Sequence, residues 1–158
     1  MLFSISDVSG CENDELTAYD HSTQYIRSFN WPNDYPSDSN CRWIIRSYDA
    51  PYIRVEVMNL DLESCCDFLR LYDGDTTHYY SAPDKEFYST DSYYFSEGSV
   101  VTIEFSSDSG VQHSGFQLKY EAVYDRYDGS LLGMILTIVG VGVLVLACCY
   151  CCCCRKSK

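Results

Sequence analysis

The 158-residue sequence predicts an all-β domain, an antiparallel β-sandwich over residues 11–123, followed by one transmembrane α-helix over residues 131–150. Three observations carry this prediction. Several short segments alternate apolar and polar residues, the pattern of strands with one buried and one wet face. No stretch before residue 130 sustains a helical period. Residues 131–150 contain neither charge nor proline, and at ~1.5 Å per residue they reach ~30 Å, one membrane crossing.

Taken in order, residues 1–10 form an N-terminal segment. Met1-Leu2-Phe3-Ser4-Ile5-Ser6 has neither a basic start nor a long apolar stretch, so no signal peptide is visible. The expectation is a signal removed or missing, rather than a tail anchor with the domain in the cytosol. Cys41-Arg42-Trp43-Ile44-Ile45 reads as a strand with Trp43 in the core, and Ile53-Arg54-Val55-Glu56-Val57 alternates strictly. Phe68-Leu69-Arg70-Leu71-Tyr72 is a strand closed by the turn pair Asp73-Gly74. Val101-Thr102-Ile103-Glu104-Phe105 and Phe116-Gln117-Leu118-Lys119-Tyr120 repeat the alternation. Clusters of Ser, Asp, Gly and Pro separate these runs, and a single small domain accounts for the whole span.

Residues 124–130 form a juxtamembrane linker and 151–158 a cysteine-rich basic tail. The chain carries a net charge of −12, unevenly distributed: all 23 acidic residues but only eight of the 11 basic ones lie before residue 130, a net of −15, and Arg155, Lys156 and Lys158 follow the apolar run. Basic flanks stay cytoplasmic, which puts the acidic domain outside and the C-terminus in the cytoplasm, a single-pass type I arrangement. Cys148, Cys149, Cys151, Cys152, Cys153 and Cys154 would then lie beside the inner leaflet as palmitoylation candidates. Their near-contiguity argues against a zinc site, which needs spaced ligands.

Cys11, Asn30-Trp31-Pro32-Asn33-Asp34-Tyr35-Pro36, Cys41-Arg42-Trp43-Ile44-Ile45, Asp67-Phe68-Leu69-Arg70-Leu71-Tyr72-Asp73-Gly74, Phe105-Ser106-Ser107-Asp108 and Gly115-Phe116 follow one another in this order. Together they resemble CUB domains. The resemblance covers nearly all of the outer domain and implies a CUB-like, jelly-roll type antiparallel β-sandwich with an extracellular binding role.

The resemblance also implies a disulfide between Cys11 and Cys41. The family's second bridge has no counterpart, because no cysteine occurs between Asp67 and Ala147. Cys65 and Cys66 are left with three states: a vicinal bond, a bridge to another chain that would make a covalent homodimer, or free thiols. Adjacent Cα atoms, ~3.8 Å apart, sit below the usual disulfide range, so a vicinal bond would require unusual peptide geometry. Two exposed thiols outside a cell seldom stay reduced, however.

Many CUB domains bind one calcium ion at an end of the sandwich. Carried over by motif, the ligands here would be Glu63, Asp67, Asp108 and the backbone carbonyl of Gly110, with the Tyr35 hydroxyl supporting the carboxylates. The chemistry suits a hard dication, which takes six to eight oxygens, since three carboxylates drawn from separate loops repel one another unless a cation lies between them. In calcium-binding relatives a lysine of the partner approaches the metal-held acids. The expected partner is therefore an extracellular protein presenting a basic side chain, while the lipid bilayer holds the anchor. The acidic surface disfavours nucleic acid. Tyr79, Tyr80, Tyr93 and Tyr94 either widen the contact surface or pack within the domain.

Catalysis has little support. His21, His78 and His113 lie among polar residues, outside any nucleophile motif or paired-histidine zinc spacing. The function expected is that of a receptor, co-receptor or adhesion subunit with calcium-dependent protein binding. The alternatives are a disulfide-linked, palmitoylated structural surface protein without metal, or a carbohydrate-binding module.

Overall fold

Alternating burial along the strands sets two five-stranded sheets face to face. The structure is a computed structural model that describes residues 7–9, 14–75 and 82–126. Ten strands occur among these residues: β1 (Asp7–Ser9), β2 (Asp14–Ala18), β3 (Gln24–Arg27), β4 (Asn40–Ser47), β5 (Tyr52–Asp61), β6 (Phe68–Asp73), β7 (Lys85–Glu86), β8 (Tyr93–Phe95), β9 (Val100–Ser106) and β10 (Gly115–Val123). One sheet has the order β1-β3-β10-β5-β8 and the other β2-β4-β9-β6-β7.

The five segments read as strands from their alternation are β4, β5, β6, β9 and β10, which form the centres of the sheets. Ile53, Val55 and Val57 on β5 are fully buried, as are Trp43 on β4, Leu69 and Leu71 on β6, and Ile103 on β9. Gly74 takes a positive φ of 95° after β6, a conformation that glycine adopts without steric cost.

The sandwich is not antiparallel throughout. β1 runs parallel to β3 and β2 parallel to β4, each pair at a sheet edge. The reason lies in the alternation of the first strands between sheets: β2, in the opposite sheet, lies within the crossover from β1 to β3, and β3 within that from β2 to β4. This supplies the long connection a parallel pair needs.

An aromatic rank crosses the core toward one end. Trp43 meets Phe116 edge-on at 6.0 Å, Phe116 meets Phe105 at 5.2 Å, and Phe105 meets Tyr35 at 5.2 Å. Cys41 is buried and disulfide-bonded. Cys11, its partner by resemblance, lies outside the described residues, as do the expected membrane segment 131–150, the six tail cysteines, Tyr79 and Tyr80. Among the described residues, no helix is long and apolar enough to cross a membrane.

Candidate metal centre

The end of the sandwich that holds Tyr35 is formed by three connections: β3 to β4, β5 to β6, and β9 to β10. Register brings them together, since the start of β6 and the start of β4 both pair with the end of β9, and the start of β10 pairs with the end of β5. Each connection contributes to one cluster.

Tyr35 comes from the β3–β4 connection and is 1% exposed. Its hydroxyl donates to Asp67 Oδ2 at 2.5 Å and accepts from the Glu63 backbone N–H at 3.1 Å. Burial, then the bond to Asp67, pushes the phenol pKa upward, so the hydroxyl keeps its proton and remains a donor. Its backbone is held by Tyr35 N–H donating to the His113 carbonyl at 3.1 Å.

Asp67 immediately precedes β6 and is 6% exposed. Its second oxygen, Oδ1, accepts the Asp108 N–H at 2.9 Å. One buried carboxylate thus ties all three connections together, since Tyr35 and Asp108 come from the other two. Asp108 Oδ1 accepts the Gly110 N–H at 2.6 Å, while the Asp108 carbonyl accepts the Asp38 N–H at 2.9 Å. The Gly110 carbonyl accepts a bond from the Gln112 side-chain amide.

Glu63, Asp67 and Asp108 each place a carboxylate oxygen within 4.8 Å of the others. Glu63 Oε2 is buried and has no hydrogen-bond partner among the described residues. A buried, unpartnered carboxylate oxygen costs free energy unless a cation or donor meets it. Gly110 leaves the adjoining space open: a Cβ there would fall 2.8 Å from Asp108 Oδ1 and 3.1 Å from Glu63 Oε2. Arginine ion pairs lie elsewhere, on Arg46, Arg54 and Arg70. The donor set is all oxygen and suits a hard cation.

Cys65 and Cys66, in the turn between Glu63 and Asp67, are bonded to each other with Cα atoms 3.7 Å apart. That separation matches an ordinary trans peptide, and the single cis peptide bond among the described residues is Trp31–Pro32. The bond is therefore closed across a trans peptide.

Several residues of this end escaped sequence reasoning. Ser39 and Ser107 clamp the connections, with Ser39 N–H donating to Ser107 Oγ at 2.9 Å and Ser107 N–H to the Ser39 carbonyl at 3.0 Å. Ser114 donates to Asp61 Oδ2 at 2.8 Å, which holds the Asp61 carboxyl below its usual range. The only signal for them was the density of Ser, Asp and Gly in the turns. Of the tyrosines proposed for a contact surface, Tyr93 is half exposed, whereas Tyr94 turns inward and donates to Asp73 Oδ2 at 3.0 Å.

The family model for the CUB domain matches residues 4–120. Cubilin of Sus scrofa is 36% identical over 111 residues, which cover 64% of this chain and 3% of that protein. The human tumor necrosis factor-inducible gene 6 protein is 32% identical over 112 residues, covering 63% of this chain and 38% of its own length. The full extracellular region of zebrafish Gpr126/Adgrg6 superposes with a TM-score of 0.60 at 26% identity, over 73% of this chain and 15% of that one. The chain therefore spans only a fraction of the length of each relative.

Proposed function

This chain belongs to the CUB domain family, and from that premise we propose that its sandwich is an extracellular protein-recognition module organised by one calcium ion. Glu63, Asp67, Asp108 and the Gly110 carbonyl would hold the ion. Bound calcium would offset the mutual repulsion of the carboxylates and fix the three connections relative to one another. The observation that carries this reading is the buried, unpartnered Glu63 Oε2 beside two further carboxylates and an open Gly110.

The module acts by binding rather than by catalysis. A basic side chain of a partner protein would approach the outer oxygens of the same acids, steered by the negative field of the domain. The uncharged run 131–150, with basic residues behind it, would anchor the module at the outer face of a membrane, with the tail cysteines as candidates for acylation of at least one. The reading as a disulfide-linked surface component draws no support from Cys65 and Cys66, which are bonded to each other.

The test uses an immobilised chain, a lysine-containing peptide and the same peptide with its lysines acetylated. Binding of the unmodified peptide alone, in calcium and not in EDTA, is the expected result. Equal binding of both peptides in EDTA would sink the reading.

A further inference from the structure

We propose that the Cys65–Cys66 disulfide is a thiol-reducible modification site whose oxidised form positions the carboxylates of the cation cluster. The inference rests on the calcium reading and adds its chemical control. Three residues separate Glu63 from Asp67, and the disulfide closes a ring within them. Its sulfurs lie within 4.8 Å of the Glu63 carboxylate, the group that carries the unpartnered oxygen. The ends of the turn are anchored by Glu63 N–H on the Tyr35 hydroxyl and by the Asp67 carboxylate on Tyr35 and Asp108, while across the turn Cys66 N–H and Asp67 N–H make only long bonds to the Glu63 carbonyl, 3.5 and 3.3 Å. Between those anchored ends, the covalent ring is the strongest restraint within the turn itself. Opening it frees torsions worth about one ordered residue, which corresponds to roughly a tenfold factor in an equilibrium constant.

Access favours this bond over the disulfide that holds Cys41. Cys65 is exposed, whereas Cys41 is 2% exposed. The reactant class is a dithiol. One of its thiolates attacks Cys65 Sγ, the S–S bond breaks, and Cys66 leaves as a thiolate that takes up a proton. The second thiol of the reagent, as its thiolate, then attacks the mixed disulfide, closing the reagent's own disulfide and releasing Cys65. The protein gains two electrons and two protons, and the dithiol is oxidised.

The experiment uses the full chain with the six tail cysteines replaced by serine, treated with a limiting dose of dithiol. Alkylation and mass analysis report which cysteines are reduced. Hydrogen exchange over residues 62–67 and 107–110 is followed in EDTA, and calcium affinity is measured separately. The expected result is alkylation at Cys65 and Cys66 with Cys41 protected, about tenfold faster exchange, and about tenfold weaker calcium binding. The variant Cys65→Ser/Cys66→Ser should reproduce both changes and ignore the dithiol. Unchanged exchange and affinity across oxidised, reduced and variant protein would overturn the proposal, as would reduction of Cys41 before Cys65 and Cys66. Faster exchange on reduction, in a protein that binds no calcium in any form, would uphold the disulfide's role and remove the calcium reading alone.

Discussion

Tyr35 and Asp67, 32 residues apart in sequence, are joined by a buried 2.5 Å hydrogen bond at the end of the aromatic rank. The hydroxyl is also the acceptor for the Glu63 backbone N–H, so one phenol links two acidic positions to the core. Tyr35→Phe keeps the ring packed on Phe105 but leaves Asp67 Oδ2 without its donor. A loss of about 1–3 kcal/mol is expected in urea denaturation without metal, and calcium affinity should fall with it.

Calcium itself should stabilise the fold by mass action. At five to ten times its dissociation constant, a single site adds about 1 kcal/mol, a rise of several degrees in the unfolding midpoint. Asp108→Ala should abolish the rise. Absence of any shift at millimolar calcium would remove the site.

Gly110 separates binding from folding. Gly110→Ala puts a methyl group against Asp108 Oδ1 and Glu63 Oε2 at an exposed turn whose φ is not positive. Stability should change by less than about 1 kcal/mol, while calcium titration should show an affinity at least tenfold weaker.

Gly115→Ala predicts the opposite outcome. Gly115 has a φ of +84°, and its Cβ would fall 1.9 Å from Ser28 Oγ, which accepts the Phe116 N–H. The substitution should cost about 3 kcal/mol or more, seen as loss of soluble folded protein.

Alkaline pH should weaken the domain. Burial, followed by the bond to Asp73, raises the Tyr94 phenol in the folded state. A raised folded pKa means the unfolded chain loses its proton first, so stability is intact below about pH 10 and falls as pH rises above it. Tyr94→Phe should make that fall shallower in denaturation curves taken between pH 9 and about pH 11.

The central strands were legible because they are buried on one face over five or more residues, as Ile53, Val55 and Val57 are. The edge strands were not. β7 has two residues and β8 three, too few to show a period, and in β3, next to an edge, one of the two buried positions is taken by a polar residue, Gln24, whose side chain donates to the Thr17 carbonyl at 2.5 Å. Parallel pairing at the edges left no mark at all, since local alternation is blind to strand direction. At the candidate site, Glu63 and Asp108 lie on different connections with no local signal joining them, and only the resemblance to a family brought them into one list. The positions of Ser39, Ser107 and Gln112 follow from how the turns meet, which depends on register far away along the strands.

The last strand of the sandwich, β10, lies inside its sheet, hydrogen-bonded to β3 on one side and β5 on the other. During synthesis, β3 and β5 emerge with no shared neighbour, and the sheet stays split until Val123 has left the ribosome. Closure of this sheet therefore waits for the module's own last strand, after which β10 brings Gly115 against Asp61 and draws the connection carrying Asp108 toward Glu63.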